Sequence, residues 1–392
     1  MSIELQDHQR ALVEAAAKQC GCTDVRLKVS RGSAKGDNYL GDIYRIEVAS
    51  GNGSEALKII MKSAQTDREF RRKLYVREFY LQEARMYEKC LPKLYSLQLH
   101  KARVSPRYYG SCLEHLKETI LLEDMREEGF EMRNGTVPMN AHHVELVLKE
   151  YAKFHAASMA LRVLDTRTFA DLTKDFFNVY AHGTDKSLWY GSAFEVLVRL
   201  AGDKFKKSKQ TFFAESEEMF TSLNDENLAI LHGDCWSNNM LFKYRDGNTS
   251  APVQVCFVDW QASRLGTPVA DLTYFLCLSG SRDIFTDTPK YMQIYYDVLS
   301  GSLTELGCNP DRVFSFKTFT DHWHRYARFG YFTAVTSLKA TMCDSRDAPE
   351  TGSIKEGATW GDQIRFATYE KEAEYERRMS DVVDFMIESG FI

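Results

Sequence analysis

Leu5, Leu12, Val13 and Ala16 recur at helical spacing, which predicts a short amphipathic helix at the start of the chain. The period then changes. Residues 25–29 and 43–48 alternate apolar and polar positions like half-buried strands. The turn Ser50-Gly51-Asn52-Gly53 links the second of these to a third strand at 56–61. Between the first two strands lies the turn-rich segment Arg31-Gly32-Ser33-Ala34-Lys35-Gly36-Asp37-Asn38-Tyr39. A long helix is predicted over 67–90, closed by Leu91-Pro92, followed by strands at 108–109 and 119–122. Beyond Asp124 the pattern is helical except for two short strands, near 240–244 and 253–258, joined by Arg245-Asp246-Gly247-Asn248. No repeat or flexible linker interrupts it. The pattern therefore predicts an α+β protein with a small strand-rich N-terminal part, residues 1–125, joined to a larger, mainly helical part, residues 126–392.

A length of 392 residues suffices for two cores. The net charge is −5, from 50 basic and 55 acidic residues, and no basic stripe stands out, which argues against a nucleic-acid partner. The first residues are polar, without the apolar core of a secretory signal, and no apolar run is long enough to span a bilayer. These features predict a cytoplasmic protein with no membrane partner, a monomer or weak dimer. Nine cysteines, with Cys20 and Cys22 the only close pair and no matching pair downstream, fit small apolar fillers in a reducing compartment better than a zinc site.

The chemistry concentrates at Leu231-His232-Gly233-Asp234-Cys235-Trp236-Ser237-Asn238-Asn239-Met240-Leu241-Phe242. The apolar run 228–231 delivers the chain into a polar loop, and a strand leaves it. Downstream, Val255-Cys256-Phe257-Val258-Asp259 puts a carboxylate at the end of an apolar strand, where it can face a cleft while the strand stays buried. Phosphoryl transfer needs a carboxylate to orient the attacking hydroxyl and accept its proton, and oxygen ligands to hold Mg2+ on the nucleotide phosphates. Asp234 suits the first role; Asn239 and Asp259, an amide and a carboxylate, suit the second. A single loop Asp or Asn is usually a cap or turn residue, so the joint pattern carries the weight.

At these residues the chain resembles the aminoglycoside phosphotransferase and choline kinase superfamily, and more closely the insect ecdysteroid kinase-like (CHK kinase-like) family. The resemblance rests on the block from His232 to Phe242, on Phe257-Val258-Asp259-Trp260-Gln261 and on Asp271-Leu272-Thr273-Tyr274-Phe275. The family usually places Phe where Trp260 stands. The resemblance implies a two-lobed protein-kinase-like fold, with ATP and Mg2+ as cofactors. It implies that Lys62 contacts the nucleotide phosphates with Glu83 as its helix partner; Lys58 and Glu78 remain rivals. It places Gly32, Gly36 and Asn38 in a phosphate-covering loop, although the segment lacks GxGxxG and Walker A patterns and alone reads as a hairpin turn. Glu123-Asp124-Met125 would be the hinge, whose backbone N–H and C=O groups could bind adenine. His155, His232 and Asp271 read as structural, Asp271 as a tether of the catalytic loop from a helix N-terminus.

A protein kinase is disfavoured, because Trp260-Gln261 replaces the Phe-Gly that follows the metal-binding Asp and no Ala-Pro-Glu closes an activation segment. The expected function is therefore transfer of phosphate from ATP to a hydroxyl of a small-molecule alcohol. An ecdysteroid or related steroid or xenobiotic is implied by the resemblance. A choline- or ethanolamine-type amino alcohol is the first alternative, a non-catalytic binding protein on the same fold the second. The densest C-terminal aromatic group, residues 322–332, is a candidate acceptor wall in which Trp323, Tyr326 and Gly330 could share one helix face, with core packing the favoured reading.

Overall fold

The computed structural model describes residues 3–32, 40–51, 57–97, 104–182, 186–226, 228–342 and 371–392. Helix α1 (Asp7–Gln19) is followed by strands β1 (Arg26–Arg31), β2 (Gly41–Ala49) and β3 (Leu57–Ala64). With β4 (Tyr108–Cys112) and β5 (Thr119–Glu123) they form a five-stranded antiparallel sheet, order β1-β2-β3-β5-β4. Side-chain alternation gives the sheet two faces. Ile46, Val48, Ile59, Met61 and Leu121 pack with Val13, Ala16 and Ala17 of α1 in a small core. Ile60 and Lys62 take the other face, beside Ile43 and Arg45 of β2 and Ile120 and Leu122 of β5.

The helix expected over 67–90 is two helices. α2 (Arg68–Lys73) starts at Asp67, whose side chain accepts from the Phe70 N–H at 2.7 Å, and α3 (Val76–Arg85) follows Tyr75, which lies in the left-handed region at φ 50°. Nor does Leu91-Pro92 end the run. Residues 86–90 widen into a π-helical turn, with the Leu91 N–H on the Met86 carbonyl, and α4 (Leu91–Leu97) continues. Proline lacks an N–H and crowds the carbonyl one turn back; the wider turn removes both conflicts, and burial of Cys90, Leu91 and Leu94 holds the segment helical.

Beyond β5 the chain crosses to a helical lobe. Here β6 (Phe130–Met132), β8 (Met240–Tyr244) and β9 (Pro252–Phe257) form one small sheet, while β7 (Ala229–Leu231) pairs with β10 (Arg264–Gly266). β6, β7 and β10 were not anticipated: each has three residues, too few to display a period. The helices are α5 (Ala141–Leu164), α6 (Thr166–Thr173), α7 (Lys186–Ala201), α8 (Lys209–Asp225), α9 (Pro268–Ser279), α10 (Arg282–Thr286), α11 (Thr288–Glu305), α12 (Pro310–Phe314), α13 (Phe316–Tyr326) and α14 (Arg328–Met342), then a C-terminal helix, Glu372–Glu388. α9 is buried at every position. α14 crosses it so closely that a Cβ on Gly330 would stand 2.3 Å from the Thr273 carbonyl oxygen. Among the described residues no helix is long and apolar enough to cross a membrane.

Gly330 thus belongs to a different helix from Trp323 and Tyr326. Trp323 is 3% exposed and meets Phe319 edge-on at 6.0 Å, so it is core. Trp323→Ala is expected to lose about 3–5 kcal/mol of stability, seen as a lower melting temperature. The ratio of acceptor to nucleotide KM should stay constant; an isolated rise in acceptor KM would refute this placement.

Candidate active site

The site is assembled where β7 and β9 end side by side. Leaving β7, the backbone turns at Gly233, φ 84°, where a Cβ would stand 2.0 Å from the Ala262 carbonyl oxygen; only glycine fits. Asp271, in the first turn of α9, holds this turn in place. Its Oδ2 accepts from the His232 N–H at 2.7 Å and its Oδ1 from the Gly233 N–H at 3.0 Å. His155 Nε2 approaches Oδ2 at 3.2 Å, and the other nitrogen of that ring meets the Tyr295 hydroxyl at 2.9 Å. Burial alone would raise the Asp271 carboxyl, but these contacts hold it below the usual carboxylate range. Asp271→Ala leaves two buried N–H groups without an acceptor, expected to cost about 1–3 kcal/mol each. Because the folded carboxyl lies below its ordinary 3.8, the stability it contributes is complete above that pH and lost as pH falls through the folded value. Urea midpoints of wild type and variant at pH 7 and pH 3 check both the size and the sign.

His232 links the two ends. Its Nδ1 accepts from the Asp234 N–H at 3.3 Å, and its Nε2 faces the Val258 carbonyl at 3.0 Å. An N–H can only donate and a carbonyl only accept, so the ring is neutral with its proton on Nε2; burial lowers its pKa and favours that form.

Asp234 is gripped from both sides. The Tyr274 hydroxyl donates to its Oδ1 at 2.8 Å and the Asn239 amide to its Oδ2 at 2.9 Å. Burial, and then the charge of Asp259, push its carboxyl up to about 6, against the pull of these hydrogen bonds. The Asn239 amide nitrogen is thereby spent, which leaves the amide oxygen as the donor a cation could use. The Asn239 carbonyl accepts from the Val258 N–H at 3.0 Å, tying that loop to the segment that carries Asp259.

Asp259 stands in the left-handed region, φ 64°, at the end of β9. Its Oδ1 accepts from Lys62 Nζ at 2.7 Å, and the same ammonium donates to Glu83 Oε2 at 2.6 Å. Burial disfavours a charged Lys62, but Asp259 and Glu83 outweigh it and raise its pKa. The rivals fall away on geometry: Lys58 pairs with Glu47 at 3.7 Å on the partly exposed sheet, and Glu78 is on the exposed side of α3. Gln82, unremarked in the sequence, secures α3 by donating to the Ser263 carbonyl. Trp260, in place of the family's usual Phe, is buried against His232 at 4.5 Å and donates its indole N–H to the Phe257 carbonyl at 3.3 Å.

The Glu123 N–H is taken by the Arg107 carbonyl at 2.9 Å, and the Met125 carbonyl accepts from Glu128 and Phe130 at 3.2 and 3.0 Å. Of the groups expected to meet adenine, the Met125 N–H is the donor with no partner among the described residues. The Met125 side chain packs with Leu241, Val258 and Phe130 into an apolar floor. Gly36 and Asn38 lie outside the described residues; Gly32 donates its N–H to the Ile43 carbonyl at 2.8 Å and prolongs the β1–β2 hairpin.

A magnesium ion fits this donor set. Among the described residues no group of three or more His, Cys, Asp or Glu could hold a metal by itself. A carboxylate and an amide oxygen are what Mg2+ takes when phosphates and water complete its shell. Sequence reasoning missed Tyr274, Gln82 and, on α14, Ser337, which meets the Tyr274 hydroxyl at 3.1 Å. Tyr274 alone left a signal, three residues after Asp271 on one helix face.

A β-rich lobe bearing a lysine–glutamate pair, set over a helical lobe bearing the Asp234–Asn239 loop and Asp259, is the two-lobed kinase-like fold. The chain belongs to the ecdysteroid kinase-like family, whose model matches residues 35–308. Similar solved structures include the GDP complex of a single-residue mutant of aminoglycoside 2′-phosphotransferase-IIIa, at 11% identity and TM-score 0.44, covering 85% of this chain and 90% of that one. Another is a protein described as a fructosamine-3-kinase from Haemophilus somnus 129PT, at 12% identity and TM-score 0.33, covering 77% and 96%. No curated protein matches the chain.

Proposed function

We propose that this protein transfers the γ-phosphoryl group of ATP to a hydroxyl of a small-molecule alcohol, with an ecdysteroid or related steroid or xenobiotic alcohol as the acceptor class. Convergence of Lys62, Asp259, Asn239 and Asp234, drawn together from both lobes, carries this reading. Bound through Asp259 and Asn239, Mg2+ would neutralise charge on the nucleotide phosphates. Lys62, steadied by Glu83, contributes a fixed positive charge beside them. Asp234, aligned by Tyr274 and Asn239, orients the acceptor hydroxyl and takes its proton. The new bond joins the acceptor oxygen to the γ-phosphorus, and the bond to the bridging oxygen of ADP breaks. The family membership supports the acceptor class. Transfer of labelled phosphate from ATP to a panel of steroid alcohols, choline and an aminoglycoside tests it. Steroid labelling is the expected result; labelling of choline alone would overturn the acceptor, and no Mg2+-dependent labelling at all would overturn the activity.

A further inference from the structure

Helix α3, which carries Glu83, is not fixed by the chain that leads into it. The break from α2 holds Tyr75 at φ 50°, an uncommon backbone state for a bulky residue, so α3 takes its direction independently of α2. On its outer side α3 borders an open cleft of about 440 Å³, whose lining includes Glu78, Leu81 and Arg85 of the helix and Asp175, Phe176 and Phe177. Glu78 and Leu81 are exposed there. What meets this side of the helix is the segment that follows α6 in the helical lobe. Asn178 donates its amide to Asn224 of α8 at 3.1 Å, and Asn224 donates to the Tyr180 carbonyl at 3.4 Å, which fastens the segment to that lobe.

The segment grips α3 at three levels. At the start of the helix the Phe177 ring centre stands 5.1 Å from that of Tyr75 and 5.8 Å from that of Phe79. Further along, Gln82, 2% exposed, accepts the Phe177 N–H on Oε1 at 3.4 Å and donates from Nε2 to the Ser263 carbonyl. At the last turn Arg85 pairs with Asp175 at 2.6 Å, a partly exposed contact and so the weakest of the three. An N–H can only donate and a carbonyl only accept, so the two partners of Gln82 call for an amide with its nitrogen toward Ser263. Ser263 is buried, shortly after Asp259 in the chain, and its hydroxyl donates to the His232 carbonyl at 3.4 Å. Gln82 therefore joins the helix of Glu83 to the loop of Asp259, and Glu83 and Asp259 share the Lys62 ammonium.

We infer that Gln82 and Phe177 are positioning residues for the phosphoryl transfer proposed above. They hold α3 against the helical lobe and thereby keep Glu83 and Lys62 in register with Asp259, without touching either substrate. The consequence rests on the phosphotransferase reading, since a displaced Lys62 meets the nucleotide phosphates out of line. The grip on α3 does not depend on it.

The test combines calorimetric titration of the full chain with Mg2+–ATP and amide hydrogen exchange along α3. Phe177→Ala, at the edge of the open cleft, is expected to weaken Mg2+–ATP binding about 10–100-fold, the range for groups that orient a ligand from behind. The α3 amides should exchange faster, while those of the fully buried α9 keep their protection. Phe177→Tyr, which keeps the ring, should retain wild-type values. Gln82→Met should repeat the loss; the two Phe177 variants decide the matter if that buried change fails to fold. In a Glu83→Gln background, where the grip on Lys62 is already weakened, Phe177→Ala should add about twofold or less, whereas a purely structural role would cost the same in both backgrounds. Unchanged Mg2+–ATP affinity in Phe177→Ala, equal losses in both backgrounds, or faster exchange that spreads to α9 would each overturn the inference. Exchange confined to α3 with the coupled loss of affinity, in a protein that phosphorylates none of the alcohols, would sink the phosphotransferase reading and leave the positioning of Lys62 standing. Steroid labelling by wild type with unchanged affinity in Phe177→Ala would do the reverse.

Discussion

Asp234→Ala is expected to lower kcat by about 10²–10⁴-fold, the usual contribution of a positioned base, with ATP affinity nearly unchanged. In the proposed reaction the carboxylate meets the acceptor hydroxyl, whereas Lys62, Asp259 and Asn239 would hold the nucleotide. A second consequence follows from its environment. Burial and the charge of Asp259 raise the carboxyl from 3.8 to about 6 in the folded protein. A folded-state value above the unfolded one means that stability falls as pH rises through about 4 to 6. At pH 7 the ionised group opposes folding by a few kcal/mol, because each tenfold change in an acid constant is worth about 1.4 kcal/mol. The variant should therefore melt no lower than wild type at pH 7, where loss of a structural aspartate would lower the melting temperature. In wild type, kcat/KM should climb through about pH 6 and then level, because only the ionised base accepts a proton. Near-normal kcat in the variant would remove Asp234 from the role.

Asp259→Asn should be the severest change to nucleotide binding. Asparagine tolerates the left-handed backbone at φ 64°, so the substitution removes charge without forcing the chain to move. What it removes is a formal charge from the proposed metal shell and one of the two carboxylates that hold Lys62. Loss of an outer-shell partner alone typically lowers metal affinity about 10–100-fold, so a direct ligand should cost at least that. ATP titrated at a series of Mg2+ concentrations should show weaker, shifted binding, while acceptor affinity measured without nucleotide holds. Unchanged Mg2+ dependence would show that Asp259 is not a ligand.

The strand at 56–61, the polar loop with Asp234 and Asn239, and the carboxylate after an apolar run are local signals, each contained in a dozen residues or fewer. They were legible because alternation, turn chemistry and motif spacing are properties of neighbouring positions. The same locality explains the errors. Pro92 is a sound stop signal, overridden by a π-helical turn that burial of Leu91 and Leu94 makes worthwhile.

By itself the sequence determined the two-lobed organisation and marked out residues of the types phosphoryl transfer would need, since both depend on which side chains sit near each other along the chain. It left Lys62 and Lys58 as rivals, because both occupy the same face of β3. Only the tertiary structure showed that it is Lys62 that pairs with Glu83 and, across 197 positions of chain, comes within 2.7 Å of Asp259. It alone showed Tyr274 gripping the Asp234 carboxylate and the Glu123 N–H and Met125 carbonyl already engaged. Those are facts about desolvation and long-range contact, which no window of neighbouring residues contains.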